Sequence, residues 1–214
     1  MDLVLNNIPF LLKGAYYTLQ ITLVSMVFGF FIALIVAIAR LKGNRLFRGL
    51  AQGYVSIIRG TPILVQIFIV YYGLPDYGIK FGPLTAAYIS LSINIGAYLS
   101  ETFRGAILSV SKGQTEAALS LGLTPWQTMR KVVLPQAARV AIPPMGNTFI
   151  GMLKETSLVS VVTVTELLRS AQLLMAQYYV AMPFYIAIAL MYWVMSMIFS
   201  NILDRIERKL SKAY

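Results

Sequence analysis

The sequence predicts an all-α integral membrane fold of about five membrane-spanning helices, with a short cytoplasmic helical hairpin between the third and fourth. Three observations carry that prediction. The 214 residues are 58% apolar and only 12% charged, with a mean hydropathy of +0.72, whereas a soluble domain carries about 25% charged residues. Charge-free stretches of membrane-spanning length recur along the chain. Lys and Arg gather in alternate connections. Polar surface on this scale is too small to cover a water-soluble body, so lipid is the solvent for much of the chain.

Each span takes roughly 20 apolar residues. The first covers 14–39, charge-free between Lys13 and Arg40. Residues 1–10 hold Asp2 and no base, so they lack the positive start of a signal peptide and the first span is expected to be retained. The second covers 53–75 and includes Arg59, because 60–75 alone is short. The third covers 81–104 and closes on Glu101 and Arg104. The fourth, 138–164, carries Lys154 and Glu155 within it. Residues 170–203 are charge-free for longer than one crossing needs, and Pro183 separates a surface segment from a last span over 183–204. The whole chain, 1–214, reads as one transmembrane domain.

Basic residues assign its orientation. With five spans and a cytoplasmic C-terminus, the inner connections hold Arg40, Lys42, Arg45, Arg48 and Arg59, then Arg104, Lys112, Arg130, Lys131 and Arg139. Arg205, Arg208, Lys209 and Lys212 follow in the tail. The outer side holds only Lys13, Lys80 and Arg169. That asymmetry places the N-terminus outside and the C-terminus in the cytoplasm, and it accounts for the net charge of +10 without nucleic acid.

The chain has no Cys and no His. Disulfides, the usual zinc sites, haem ligation by His and Cys–His or Ser–His nucleophiles are therefore excluded.

The loop at about 105–136 is long for a connection, yet it is patterned. Ser111 and Gln114 fit a capping box, so a helix is expected from near Lys112 through Glu116-Ala117-Ala118 to Gly122, which accepts a left-handed closing conformation. Thr124-Pro125-Trp126-Gln127 fits a second box with Pro at the first helical position. That helix is expected to run through Arg130 and Val133 and to stop before Pro135.

Glu116-Ala117-Ala118, Gly122 six residues after Glu116, and Val132-Val133-Leu134-Pro135 together resemble the EAA motif of ABC importer permeases, with Val132 where Ile is common. Arg59-Gly60-Thr61-Pro62 and Lys154-Glu155-Thr156-Ser157-Leu158 are similar to segments of the polar amino acid permeases of the histidine, glutamine and arginine uptake type. That subfamily's size and five-span layout also match. The resemblance implies that the hairpin, through Glu116, Ala117, Ala118 and Gly122, is a coupling element inserted into a groove on an ATP-hydrolysing subunit. It further implies ABC ATPase subunits, an extracytoplasmic solute-binding protein and a prokaryotic plasma (inner) membrane. Five spans also make a poor pathway alone, which favours a second permease subunit and a homodimer.

The chain itself carries no engine. Gly146 and Gly151 have the separation of a P-loop, but Met152 and Leu153 follow where Lys and Ser or Thr belong. Close helix packing is the expected role of these glycines. ATP and Mg are thus expected on the partner ATPase, with no cofactor and no enzymatic activity in this chain.

Candidate substrate-binding residues are the polar groups within spans. Lys154 and Glu155 lie beyond the middle of the fourth span, and Pro143, Pro144 and Gly146 are expected to interrupt that helix and free backbone carbonyls. Gly60-Thr61-Pro62 is expected to do the same in the second span. Thr156 and Ser157 either bind a ligand or bond their own helix. Asn94, Tyr98 and Glu101 share one face of the third span, as a pathway wall, or Glu101 is a boundary residue paired with Arg104. If Glu101 and Glu155 both line the cavity, a basic amino acid of the arginine, lysine or histidine type is favoured. The chain is thus expected to move a polar amino acid by alternating access driven by a separate ATPase. An ion-coupled carrier or channel without an ATPase is the rival, and a membrane-embedded enzyme fits worst, since no nucleophile–base pair is visible.

Overall fold

In the computed structural model, residues 2–211 are described, so Lys212 of the basic tail lies outside the described residues. The described residues are mostly helical: α1 (Asp2–Asn6), α2 (Ile8–Lys42), α3 (Arg45–Gly60), α4 (Ile63–Phe68), α5 (Pro83–Ser109), α6 (Lys112–Ser120), α7 (Pro125–Thr128), α8 (Leu134–Glu155), α9 (Leu167–Tyr178) and α10 (Met182–Ser211). Two of these, α2 and α10, are long and apolar enough to cross a membrane, and two bent pairs reach that standard jointly. At 27 residues α5 has the length, but Ser90, Ser92, Asn94 and Ser100 make it more polar, and all four are buried.

α2 and α5 form the centre and run parallel. Near their C-terminal ends Glu101 accepts from Arg40 and from Arg104, while one helix's middle packs on the other's. A Cβ at Gly29 would overlap Ile95, and one at Gly96 would lie 2.6 Å from Ile32 Cγ2. Two glycines thus let the backbones approach closely, as small residues do between helices in lipid. Parallel neighbours oblige the segment between them to return along the bundle, and that return is made in two pieces.

α3 starts where Gly43 leaves α2 in an extended conformation, and Asn44 Oδ1 caps it by accepting from Phe47 N at 3.0 Å. It ends at Gly60. The chain then turns by 106° into Ile63–Tyr77, in which α4 is followed by a π-helical turn (Ile69–Gly73) and a 3-10 turn (Leu74–Tyr77). The expected second span over 53–75 is therefore not one straight helix. Pro62 lacks an amide donor and takes an extended conformation, so α3 cannot be continued through it.

α8 and α10 are antiparallel, with Gly146 against Leu203 and Phe149 edge-on to Phe199 at 4.8 Å. Gly146 therefore packs tightly, whereas a Cβ at Gly151 would meet nothing within 4 Å. Pro143 and Pro144 do not interrupt α8, which is continuous through both. A proline removes an amide donor, but its φ is already helical, and Thr148 Oγ1 donates to Pro144 O at 2.8 Å. After Glu155 the chain tightens into a 3-10 helix over Thr156–Val162 and turns at Thr163, whose φ is 63°. α9 then lies against the N-terminal part of α2. Leu11, Ala15, Leu167, Ala171, Leu174, Phe184 and Ile188 form a second apolar core there.

Candidate functional site

The hairpin is built by two different helix ends. α6 closes with a Schellman arrangement: Gly122 has φ +84°, its N–H donates to Leu119 O at 2.9 Å, and Leu123 N–H donates to Ala118 O at 3.2 Å. α7 opens with a complete capping box, in which Thr124 Oγ1 accepts from Gln127 N at 3.2 Å and Gln127 Oε1 from Thr124 N at 2.9 Å. The expected box at Ser111 does not form, because Gln114 Oε1 is turned to Gln136 Nε2 at 3.5 Å across the hairpin. Ala118 is buried where α6 packs on α7 and the π turn that follows it, while Glu116 and Ala117 are exposed. Leu119, Leu121 and Trp126 are exposed too, Leu121 at 84%. The hairpin thus presents its single acid beside exposed apolar side chains, with Lys112, Arg130 and Lys131 exposed as well.

The helix begun by α7 does not stop before Pro135. It passes through a π turn (Met129–Val133), where Leu134 N–H reaches back five residues to Met129 O, and continues as α8. The wider turn accommodates a proline that cannot make the ordinary bond. The second helix of the hairpin and α8 are consequently one continuous rod.

The predicted substrate residues fall into three groups. Thr61 and Asn94 are joined by Gln66, a residue that sequence reasoning passed over. Gln66 Nε2 donates to Ile58 O (2.8 Å), Thr61 O (3.1 Å) and Thr61 Oγ1 (3.0 Å), and its Oε1 accepts from Asn94 Nδ2 at 3.1 Å. It satisfies carbonyls left open where α3 ends and ties the elbow to α5. A lone polar residue in the apolar run after Pro62 was the available signal.

Tyr98 and Glu101 stand on the same face of α5 as Asn94 but in different surroundings. Asn94 is buried, whereas Tyr98 is 43% exposed with the Arg59 guanidinium 5.1 Å above its ring. Glu101 is held by Arg104, with bonds of 3.1 and 2.9 Å, and by Arg40. The boundary reading of Glu101 is the one the geometry matches. One carboxylate between two guanidiniums makes a cluster of net positive charge, which does not favour a cationic solute.

Lys154 and Glu155 end α8, are exposed, and form no salt bridge among the described residues. Thr156 Oγ1 and Ser157 Oγ donate to their own backbone, to Leu153 O (2.8 Å) and Lys154 O (2.7 Å), the second of the two roles expected of them. None of the predicted substrate residues lines either of two cavities. One, about 460 Å³, is bordered by Lys13, Tyr17, Pro83 and Thr163; the other, about 270 Å³, lies between Phe30, Phe103, Ala137 and Met145.

A second buried polar node was also missed. Glu166 is fully buried and caps α9, accepting from Leu168 N and Arg169 N, both at 2.8 Å. Tyr192 donates to it at 2.7 Å and Thr18 at 3.5 Å. The sign in the sequence was a single acid in an otherwise acid-free stretch from 156 to 203.

A helical bundle with apolar helices long enough to cross a membrane, joined to an exposed hairpin by one continuous helix, is the architecture of an integral membrane protein. The chain belongs to the family of binding-protein-dependent transport system inner membrane components, which matches residues 8–212. It is 45% identical over 205 residues to the L-cystine transport system permease protein TcyB of Bacillus subtilis (strain 168), covering 95% of this chain and 88% of that one. It is 40% identical over 205 residues to the glutamine transport system permease protein GlnP of Escherichia coli (strain K12), covering 95% and 94%. A crystal structure of an amino acid ABC transporter with histidines matches at a TM-score of 0.93 and 37% identity over 96% of each chain. Members of this family are permease subunits and not enzymes; ATP is hydrolysed by a separate subunit.

Proposed function

We propose that the chain is the translocating subunit of an ATP-driven importer for a polar amino acid, working as a pair of identical subunits. The observation that carries the proposal is the exposure of Lys154 and Glu155 at the end of a membrane helix without a salt-bridge partner among the described residues. Each such group costs roughly 2.5–3.5 kcal/mol in lipid, so a polar pathway or a second subunit must cover them. Two copies would supply a shared pathway that neither cavity within one chain provides.

In this reading the chain makes five crossings: α2, the return through α4, α5, α8 and α10. The basic asymmetry then puts the N-terminus outside and the hairpin in the cytoplasm of a prokaryotic inner membrane. An ATPase subunit docks on Glu116, Ala117, Ala118 and the exposed Leu121 and Trp126. Its closure on ATP drives the hairpins, the α8 rods and hence the switch between inward- and outward-facing states. A solute-binding protein delivers to the outer face.

Polar amino acids are supported by the relatives named for glutamine and cystine. A basic side chain was favoured by Glu101 and Glu155 together, and only Glu155 keeps an unspent charge. Thr61, Asn94 and Tyr98 remain pathway candidates through the elbow that they build. The test is ATP hydrolysis by the reconstituted complex with its binding protein and each amino acid in turn. Strong stimulation by one polar amino acid supports the reading; stimulation by none, with ion-gradient-driven uptake instead, rejects it.

A further inference from the structure

α3 is 16 residues long, about 24 Å at 1.5 Å per residue, and carries three distinct faces. Ala51 and Val55 are buried against the bundle. Leu46, Leu50 and Ile57, at i, i+4 and i+11, share a second face with Gly53 and are 66, 63 and 64% exposed. Arg45, Arg48, Gln52, Ser56 and Arg59 share the third. A helix with an apolar face, a basic face and little else matches the pattern of one that lies in the plane of a membrane surface. The 106° turn at Thr61-Pro62 supplies the same geometry independently: if the segment after it crosses the bilayer, α3 lies nearly along its surface.

The charge here is uncompensated. No Asp or Glu occurs from residue 3 to residue 75. Glu101, which meets α2 near its basic end, is already held by Arg40 and Arg104. Lys42, Arg45 and Arg48 are exposed and form no salt bridge among the described residues; Arg48 reaches only Gly43 O, at 3.5 Å.

We propose that α3 is an interfacial helix whose Leu46, Leu50 and Ile57 dip into the acyl layer while Lys42, Arg45 and Arg48 bind the phosphates of anionic phospholipids. It thereby anchors the elbow to the bilayer. Phe47, 57% exposed, lies between the exposed apolar face and the buried one, on the side away from the arginines. The elbow is tied to α5 through Gln66 and Asn94, so lipid charge acts on the position of the bundle's central helix. The proposal does not depend on which solute is carried.

The test uses the absence of native cysteine. Single variants Leu46→Cys, Leu50→Cys, Ile57→Cys, Gln52→Cys and Ser56→Cys are spin-labelled in the full complex in phosphatidylcholine vesicles containing phosphatidylglycerol. Labels at 46, 50 and 57 are expected to collide with oxygen more than with a water-soluble nickel chelate, and labels at 52 and 56 the reverse. Labels at 46, 50 and 57 that meet neither reagent would show a second protein chain on that face and overturn the proposal, as would labels in water. In parallel, the double variant Arg45→Gln, Arg48→Gln is assayed for ATPase activity across a phosphatidylglycerol series. At about 1 kcal/mol per basic residue, half-maximal activity is expected to need about fivefold more anionic lipid for each arginine lost, with activity in detergent unchanged. An identical lipid response in variant and wild type overturns the phosphate contacts.

Discussion

Gln66 Oε1 accepts a hydrogen bond from Asn94 Nδ2 at 3.1 Å, while the same Gln66 amide nitrogen donates to two carbonyls and one hydroxyl at the end of α3. One buried side chain therefore closes the end of one helix and fixes its distance from another. Gln66→Leu would leave the amide of Asn94 and the carbonyls of Ile58 and Thr61 unpaired, at about 1–3 kcal/mol for each buried group. The complex is expected to unfold at lower temperature and to lose uptake. A double-mutant cycle with Asn94→Leu should give a coupling of about 0.5–3 kcal/mol; additive losses would deny that the two side chains act together.

Glu116 stands on the exposed side of α6, away from the buried Ala118. Glu116→Lys should therefore spare the fold and the assembly while uncoupling ATP hydrolysis from uptake. Co-purification of the ATPase with uptake near background is the expected pair of results. Wild-type uptake would remove the hairpin from the coupling path.

Gly122 sits at φ +84° with open space around a would-be Cβ. The cost of Gly122→Ala is thus backbone strain alone, about 1–2 kcal/mol. A hairpin loosened at this turn should couple less well, and Gly122→Asn, which tolerates the left-handed region better, should recover part of the loss in an uptake assay.

Glu166→Ala would remove the cap of α9, worth roughly 0.5–2 kcal/mol, and strand the hydroxyls of Tyr192 and Thr18. A clear fall in thermal stability is expected. Glu166→Gln keeps one acceptor oxygen and should fall between the two. Equal stability in all three proteins would mean that the node is solvated by other means.

Glu101→Gln tests the electrostatic case for a basic solute. Because Arg40 and Arg104 already hold this carboxylate, the variant should lower stability without reordering the amino acids that stimulate ATP hydrolysis. A changed order of preference would restore Glu101 to the pathway.

The amino-acid sequence by itself determined the solvent, the helical class and the hairpin. Those properties rest on composition, on runs of apolar residues, and on interactions within a few positions, such as Thr124 with Gln127 and Gly122 with Leu119. The structure alone decided what each polar residue in the bundle faces. Thr61, Asn94, Tyr98 and Glu101 look alike as polar groups in apolar spans, but their partners, Gln66, Arg59 and Arg40, are brought to them from other helices. The turn at Pro62 was readable as a break, and its angle was not. A missing amide donor says that a helix must end, while the direction taken next depends on which carbonyls a distant side chain is placed to satisfy.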